Sequence, residues 1–349
     1  MMRYRASGFS IVELMVAMTL SLVLLAGALA ITYSSRVTFG ENERVGRLQE
    51  NGRFAIELLS RDLRGAGFGG CMRGVTFNST LNSATTPLWD FTQPVQGFEH
   101  TGTGTWSPGL PAVVTSPRAD GGDVVMVRIS QTNAGLQRLR TSTAMASSTS
   151  DIVVDKDPND TLPNGQTVLV SDCSAASVFA VTAFLAGGAT ATLQHTAGGA
   201  VGVGPGNATA DVGPAFRDGA TIVPVDTVIY YVRDSDTLRN GARNPALWRI
   251  VGNGAPLELV EGVESLQILY GEDTNGDQLV DNYVTAAAVG NWNRVIAISL
   301  SMLVRSVEPN SPEVDNRTYT LLGTNVGPFN DRYQRTIFTT TVALRNATS

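Results

Sequence analysis

A single carboxylate stands inside an otherwise apolar stretch near the start of this chain. Residues Phe9 to Ile31 read FSIVELMVAMTLSLVLLAGALAI, 23 residues in which Glu13 is the only charged side chain. A carboxylate inside a bilayer costs about 2.5–3.5 kcal/mol even on the gentler insertion scales, and this stretch offers no cation to pair with it. A second concentration of oxygen side chains lies in Asp273-Thr274-Asn275-Gly276-Asp277-Gln278-Leu279-Val280-Asp281. Carboxylates and amides at alternate positions of a tight loop can aim several hard oxygens at one point, which suits calcium. The candidate ligand set is Asp273, Asn275, Asp277, Leu279 and Asp281. It is not an EF-hand, because the glycine is out of place and Val284 stands where that loop has Glu. The competing reading is an acidic turn whose Asp and Asn side chains bond their own backbone. Cys71 and Cys173 lie in no C-x-x-C motif, which removes zinc-ribbon and thioredoxin-like chemistry. His100 and His195 sit in Gly- and Thr-rich contexts and are expected at the surface. No nucleophile motif, phosphate loop or zinc-spaced cluster appears, so catalysis is not expected.

The elements that must carry these groups begin with the apolar stretch. At about 1.5 Å per residue a helix of this length spans roughly 35 Å, enough to cross a bilayer core. Arg3 and Arg5 precede it, which keeps the amino terminus cytoplasmic and exports the rest. A secretory signal would have a shorter apolar region and then a small-residue cleavage site. Here the pattern runs on instead. Over residues 33 to 64, Val45, Leu48, Ala55, Leu59 and Leu63 form one apolar stripe at helical spacing. Glu43 with Arg47 and Glu57 with Arg61 are i,i+4 pairs in the favourable order. Gly40, Gly46 and Gly52 each cost about 1 kcal/mol against Ala and mark bends or close packing. The run from Arg64 to Gly70 ends the helix, with Gly in a left-handed cap.

Gly8-Phe9-Ser10-Ile11-Val12-Glu13-Leu14, behind a short basic leader, resembles the class III signal of type IV prepilins. That resemblance implies a peptidase cut between Gly8 and Phe9 and methylation of the new amino terminus on Phe9. It also implies that the Glu13 carboxylate pairs with the positive amine of Phe9 on a neighbouring subunit. Such pairing neutralises the buried charge only when subunits stack. The resemblance further divides the chain into a leader (1–8), a transmembrane and filament-core half-helix (9–32), an amphipathic half (33–68) and an exported domain (69–349).

Beyond residue 70, short β-like runs alternate with turn clusters. Strands are expected at 124–129, 166–170, 177–184 and 223–233, then a turn at Asp234-Ser235-Asp236 and a strand at 246–251. Residues 257–270 read as helix or strand, and 294–304 and 335–344 as alternating strands. Residues 72–120 and 186–220 read as long loops. The class is α+β with mostly antiparallel strands. Hydrophobic content of 43% against 16% charged excludes a disordered chain, and a net charge of -6 supplies no basic surface for nucleic acid.

Several stretches resemble PilW-like minor pilins: residues 48–54, the Arg-Asp-Leu-Arg-Gly-Ala-Gly run 61–67, Ser171-Asp172-Cys173, Tyr270-Gly271, and residues 342–346. What this implies is a minor subunit that initiates and caps a type IV pilus and supports twitching motility and adhesion. The implied partners are a prepilin peptidase, other minor pilins, the major pilin and a large tip adhesin. The implied location is the inner membrane before assembly and the filament after it. A minor pseudopilin of type II secretion shares the same amino-terminal physics, and a membrane-anchored adhesin or ligand-binding module is the reading from another class. Export into an oxidising space leads to the expectation that Cys71 and Cys173 pair as a disulfide.

Overall fold

The computed structural model describes residues 10–67, 78–130, 139–172, 174–202, 204–239, 241–309 and 311–346. One helix, Ile11–Arg64, runs 54 residues without a break. The Ser10 hydroxyl caps its start by accepting from the Val12 amide at 3.3 Å. Residues 11–39 are exposed throughout, whereas Leu48, Gly52, Ala55, Leu59 and Leu63 are buried. The amphipathic stripe therefore holds, with one correction: Val45 is 40% exposed. It lies one turn short of where the helix meets the sheet. The Glu43–Arg47 ion pair forms. Arg61 lies 3.4 Å from its neighbour Asp62. The helix ends inside the expected run. Gly65 is right-handed, and the left-handed residue is Gly67 at φ +71. Its missing side chain leaves room for Pro94.

The buried stripe packs on a four-stranded antiparallel sheet in the order Asn282–Val284, Val263–Glu272, Val295–Arg305, Arg335–Ala343. Leu59 and Leu63 share one core with Leu266, Ile298, Leu300 and Val342. The ambiguous segment 257–270 is two strands, Leu257–Glu261 and Val263–Glu272. Gly262, at φ +95, lets the chain turn against the Arg305 carbonyl, where a β-carbon would collide.

A second, larger sheet is organised by the strand Thr221–Arg239. Its first residues pair with Thr167–Ser171 and Leu139–Thr141. Further along it pairs with Val124–Ser130 on one side and Ala242–Val251 on the other. The expected turn at 234–236 does not occur. The strand continues to Arg239 with a register shift between Asp234 and Leu238, and the chain reverses only before Ala242. A bulge accommodates the polar run that reads as a turn. The segment 177–184 splits into Ala176–Ala180 and Ala183–Ala186. The expected loops are corrected too: they contain Val95–Gly102, Thr105–Ser107 and Thr190–Gln194. Phe179, Leu193, Phe216 and Ile222 centre a separate core under residues 139–222.

Asp123 joins the two sheets. Its buried carboxylate accepts from the His100 amide at 2.9 Å and from the Ile268 amide at 2.8 Å. Burial pushes its pKa up to about 7, with the neighbouring Glu99 adding to the shift.

Candidate functional site

The amino-terminal half of the helix presents a continuous apolar surface that none of the described residues covers. Ile11, Leu14, Leu22, Val23, Leu24 and Ile31 are each more than half exposed. The stretch is apolar and long enough to cross a membrane by length and composition. Glu13 is exposed in the first turn, where the helix dipole favours a negative charge. Among the described residues no cation reaches it. Gly8 and Phe9 fall outside the described residues.

The carboxy-terminal half is fixed at a built junction. Asp62 is 6% exposed and accepts from the Tyr230 hydroxyl at 2.6 Å, while the Arg249 guanidinium lies 3.4 Å away. A buried carboxylate needs such partners, and both stand on the larger sheet. The Tyr230 pKa is pushed far up by burial and by the adjacent Asp62, so it remains a donor. The Asn51 amide donates to the Glu261 carbonyl at 3.2 Å. The Asn346 side chain donates to the Ala66 carbonyl at 3.2 Å, which ties the last strand to the helix exit. Leu344, fully buried, bonds its amide to Ile296 at 2.8 Å.

Gly52 is where helix and sheet touch most closely, since a β-carbon there would overlap the Phe338 ring. At Gly46 no neighbour lies within 4 Å of that position. The two glycines therefore respond oppositely to Ala. Gly46→Ala is expected to stabilise by up to about 1 kcal/mol through helix propensity. Gly52→Ala is expected to destabilise by about 1–3 kcal/mol through overpacking. Thermal unfolding of the two variants checks the sign of each.

Comparison with known families agrees with both ends of this geometry. A family model described as prokaryotic N-terminal methylation motif matches residues 3–29. A second, described as type IV pilus-assembly protein W, matches residues 229–346, which carry Tyr230, Arg249, Phe338 and Asn346. The chain is PilW-like over residues 229–346 and prepilin-like at its amino terminus. The two matches support a type IV pilus minor pilin in general, and the matched family is a structural pilus component. No curated protein matches the chain. The pilus-assembly context brings with it other pilins and processing by a prepilin peptidase.

Two of the stretches that resemble minor pilins meet at the junction. The 61–67 run supplies Asp62 and Ala66, and the 342–346 run supplies Leu344 and Asn346. Tyr270 stacks edge-on to Trp292 with ring centroids 4.9 Å apart, over Gly97. Asp62 and its partners escape sequence reasoning because Tyr230 is remote in the chain. The signal available was an acidic residue on the buried edge of an amphipathic helix.

The acidic loop gathers as the spacing suggests, but its oxygens serve the loop itself. Asp273 accepts from the amides of Gly276 and Gln278 at 2.6 and 2.9 Å. Asp277 accepts from the Leu279 amide at 2.8 Å and from Asn275 at 3.2 Å. Asp281 accepts from Thr274 through its amide at 2.7 Å and its hydroxyl at 2.6 Å, which together hold its pKa down. The Asn275 oxygen accepts from the Asp277 amide at 2.8 Å. Among the described residues no group of three or more His, Cys, Asp or Glu is set to hold a metal. Calcium would share oxygens that these internal bonds already hold in place. A chelator is therefore expected to leave the melting temperature unchanged. A rise of more than about 3 °C in millimolar calcium would show that the loop re-forms around the ion.

His195 corrects the surface expectation. It is 2% exposed, packs on Phe179 at 5.2 Å and bonds the Ser150 carbonyl through Nε2 at 2.9 Å. His100 is half-buried, with Nε2 2.7 Å from the Ala119 carbonyl. Cys71 and Cys173 lie outside the described residues.

Proposed function

We propose that this chain is a minor pilin that takes part in starting a type IV pilus and in capping it, and that it supports twitching motility and adhesion. One observation carries the reading: a fully exposed apolar half-helix with a lone carboxylate, continuous with a half-helix locked onto a folded domain. An exposed apolar surface of this extent needs a membrane or neighbouring helices to cover it. Stacking brings a cation to Glu13: the amine of Phe9 on a neighbouring subunit, freed by a cut after Gly8. In this reading the chain waits in the inner membrane as a single-pass protein. It then passes into the filament beside other minor pilins and the major pilin, with a large tip adhesin as a further partner. The domain's part is to fit the end of the filament rather than its shaft. Deletion of the gene is expected to reduce surface filaments, with restoration by the wild-type chain supplied in trans. Filament number unchanged by deletion would contradict the proposal.

The pairing of Cys71 with Cys173 belongs to the same proposal, because the domain then folds outside the cytoplasm. Gly67, four residues before Cys71, and Leu169, four before Cys173, line the same small cavity. The nearness of Gly67 to Leu169 supports the pairing. Closing so long a loop stabilises by up to about 4–5 kcal/mol on the entropic model. Thiol alkylation of the unfolded, unreduced chain is expected to label neither cysteine, and two labelled thiols would refute the bond.

A further inference from the structure

The strand Arg335–Ala343 closes the four-stranded sheet and pairs on one side only, with Val295–Arg305. At its two ends the Ser306 amide bonds the Gln334 carbonyl and the Leu344 amide bonds the Ile296 carbonyl. Antiparallel ladders alternate, so the even-numbered residues from Thr336 to Val342 turn their backbone groups toward the partner strand. Those of Ile337, Thr339, Thr341 and Ala343 point the other way, and among the described residues no backbone group bonds them. Thr336, Thr339, Thr341 and Ala343 are exposed. A free edge invites further pairing, and folds blunt it by shortness, charge, proline or bulges. The other sheet edges are blunted in this way. Asn78–Ser79, Thr105–Ser107, Ala183–Ala186, Leu257–Glu261 and Asn282–Val284 have between two and five residues. Arg335–Ala343 has nine, and its register with Val295–Arg305 is unbroken. From Thr336 to Ala343 it holds no charge and no proline.

The two faces beside this edge differ. Phe338 and Val342 lie on the helix side, in or against the core beneath it. On the opposite face Thr339 and Thr341 form a hydroxyl ladder with Ser301 and Ser299, at 2.9 and 3.2 Å. Gly52 lies against Phe338 and Ala66 against Asn346, so helix and strand run in the same direction. Antiparallel pairing of two copies through this edge would therefore point their helices in opposite directions, and one membrane could not take both apolar halves. That exclusion of a second copy rests on the membrane reading of residues 9–32. We propose that this edge takes a strand from a different protein by β-augmentation. The strand is an extended, uncharged segment with apolar side chains on the helix side and Ser or Thr on the other. The outward backbone groups bond it, the apolar residues extend the surface of Phe338 and Val342, and the hydroxyls continue the ladder of Thr339 and Thr341.

The probe is a peptide of about eight alternating Thr and Val residues with a Lys-Lys tail, added to the detergent-solubilised full chain. Site-resolved amide hydrogen exchange is read with and without it. In saturating peptide the amides of Ile337, Thr339, Thr341 and Ala343 are expected to slow by at least about tenfold, with Thr340 and Val342 little changed. Asp in place of Val in the peptide is expected to abolish the effect. Thr341→Pro removes one outward donor and keeps the ladder to Val295–Arg305, and is expected to weaken peptide binding about tenfold. Should that variant fail to fold, the Thr-Val peptide N-methylated at alternate residues keeps its side chains, loses its bonding amides and is expected to give the wild type no protection. None of these measurements depends on filament assembly. No slowing at the outward amides, or equal protection by the Asp or the N-methylated peptide, would overturn the proposal. So would undiminished binding to folded Thr341→Pro, or protection that rises with the concentration of the chain alone, which would make a second copy the occupant.

Discussion

Arg335→Ala is expected to cost about 3–5 kcal/mol of stability, the range for breaking a buried ion pair from one side. The Arg335 side chain is wholly buried at the start of the last strand. Its Nε donates to Glu264 at 2.6 Å, and Nη1 and Nη2 each donate to Asp331 at 2.7 Å. Nη1 also lies 3.2 Å from Asp315, and the guanidinium stacks on Phe329 at 3.7 Å. One planar fork thus fastens the excursion between residues 306 and 334 onto the four-stranded sheet. Removing it leaves Glu264, 3% exposed, with Arg305 as its remaining cation. Lys at this position has no fork and is expected to recover only part of the loss. The same network sets the acid limb. Burial works to raise the Asp315 pKa, but hydrogen bonds from Arg317, Tyr319 and Arg335 hold it at about 2. A depressed carboxylate stabilises above its unfolded value and stops doing so as protons bind. Its contribution is therefore lost as the pH falls from 3.8 toward about 2. Calorimetry of wild type and variants across that range checks both the size and the sign. An Arg335→Ala loss under about 1 kcal/mol would mean the network is solvated.

Glu13→Ala is expected to leave the chain in the membrane and to remove it from filaments by more than about tenfold. The substitution relieves the insertion cost of about 2.5–3.5 kcal/mol that stacking would otherwise recover. Since about 1.4 kcal/mol is tenfold in an equilibrium, losing most of that drive is a large effect. Glu13→Asp keeps the charge on a shorter arm and is expected to fall between. The ratio of the chain in sheared filaments to that in membranes, by quantitative immunoblot, reads this directly. Equal ratios for wild type and Glu13→Ala would end the pairing argument.

The parts of the molecule that were legible in sequence are those set by local periodicity. The uninterrupted helix follows from an apolar run passing into a stripe at Leu48, Ala55, Leu59 and Leu63. The strands Val124–Ser130, Val295–Arg305 and Arg335–Ala343 follow from dense β-branched and apolar residues. What was not legible depends on contacts between distant segments. Asp62 looks like any acidic helix residue until Tyr230 and Arg249 arrive from the sheet. Arg335 opens a recognisable strand, yet two of its three carboxylate partners, Glu264 and Asp315, come from remote segments. Asp234-Ser235-Asp236 has turn chemistry, but pairing with Ala242–Val251 carries the strand through it as a bulge. His195 lies among Gly and Thr that signal a loop, yet that loop folds over Phe179. Glu13 stands apart, because its pairing belongs to the proposal. What is legible from one charge in an apolar run is its cost in a bilayer.

The most direct test of the account is the amino terminus of the chain recovered from sheared filaments. Mass spectrometry is predicted to find this chain there, beginning at Phe9 with a methylated amine and with residues 1–8 gone. A chain absent from filaments, or present with Met1 to Gly8 still attached, would contradict it.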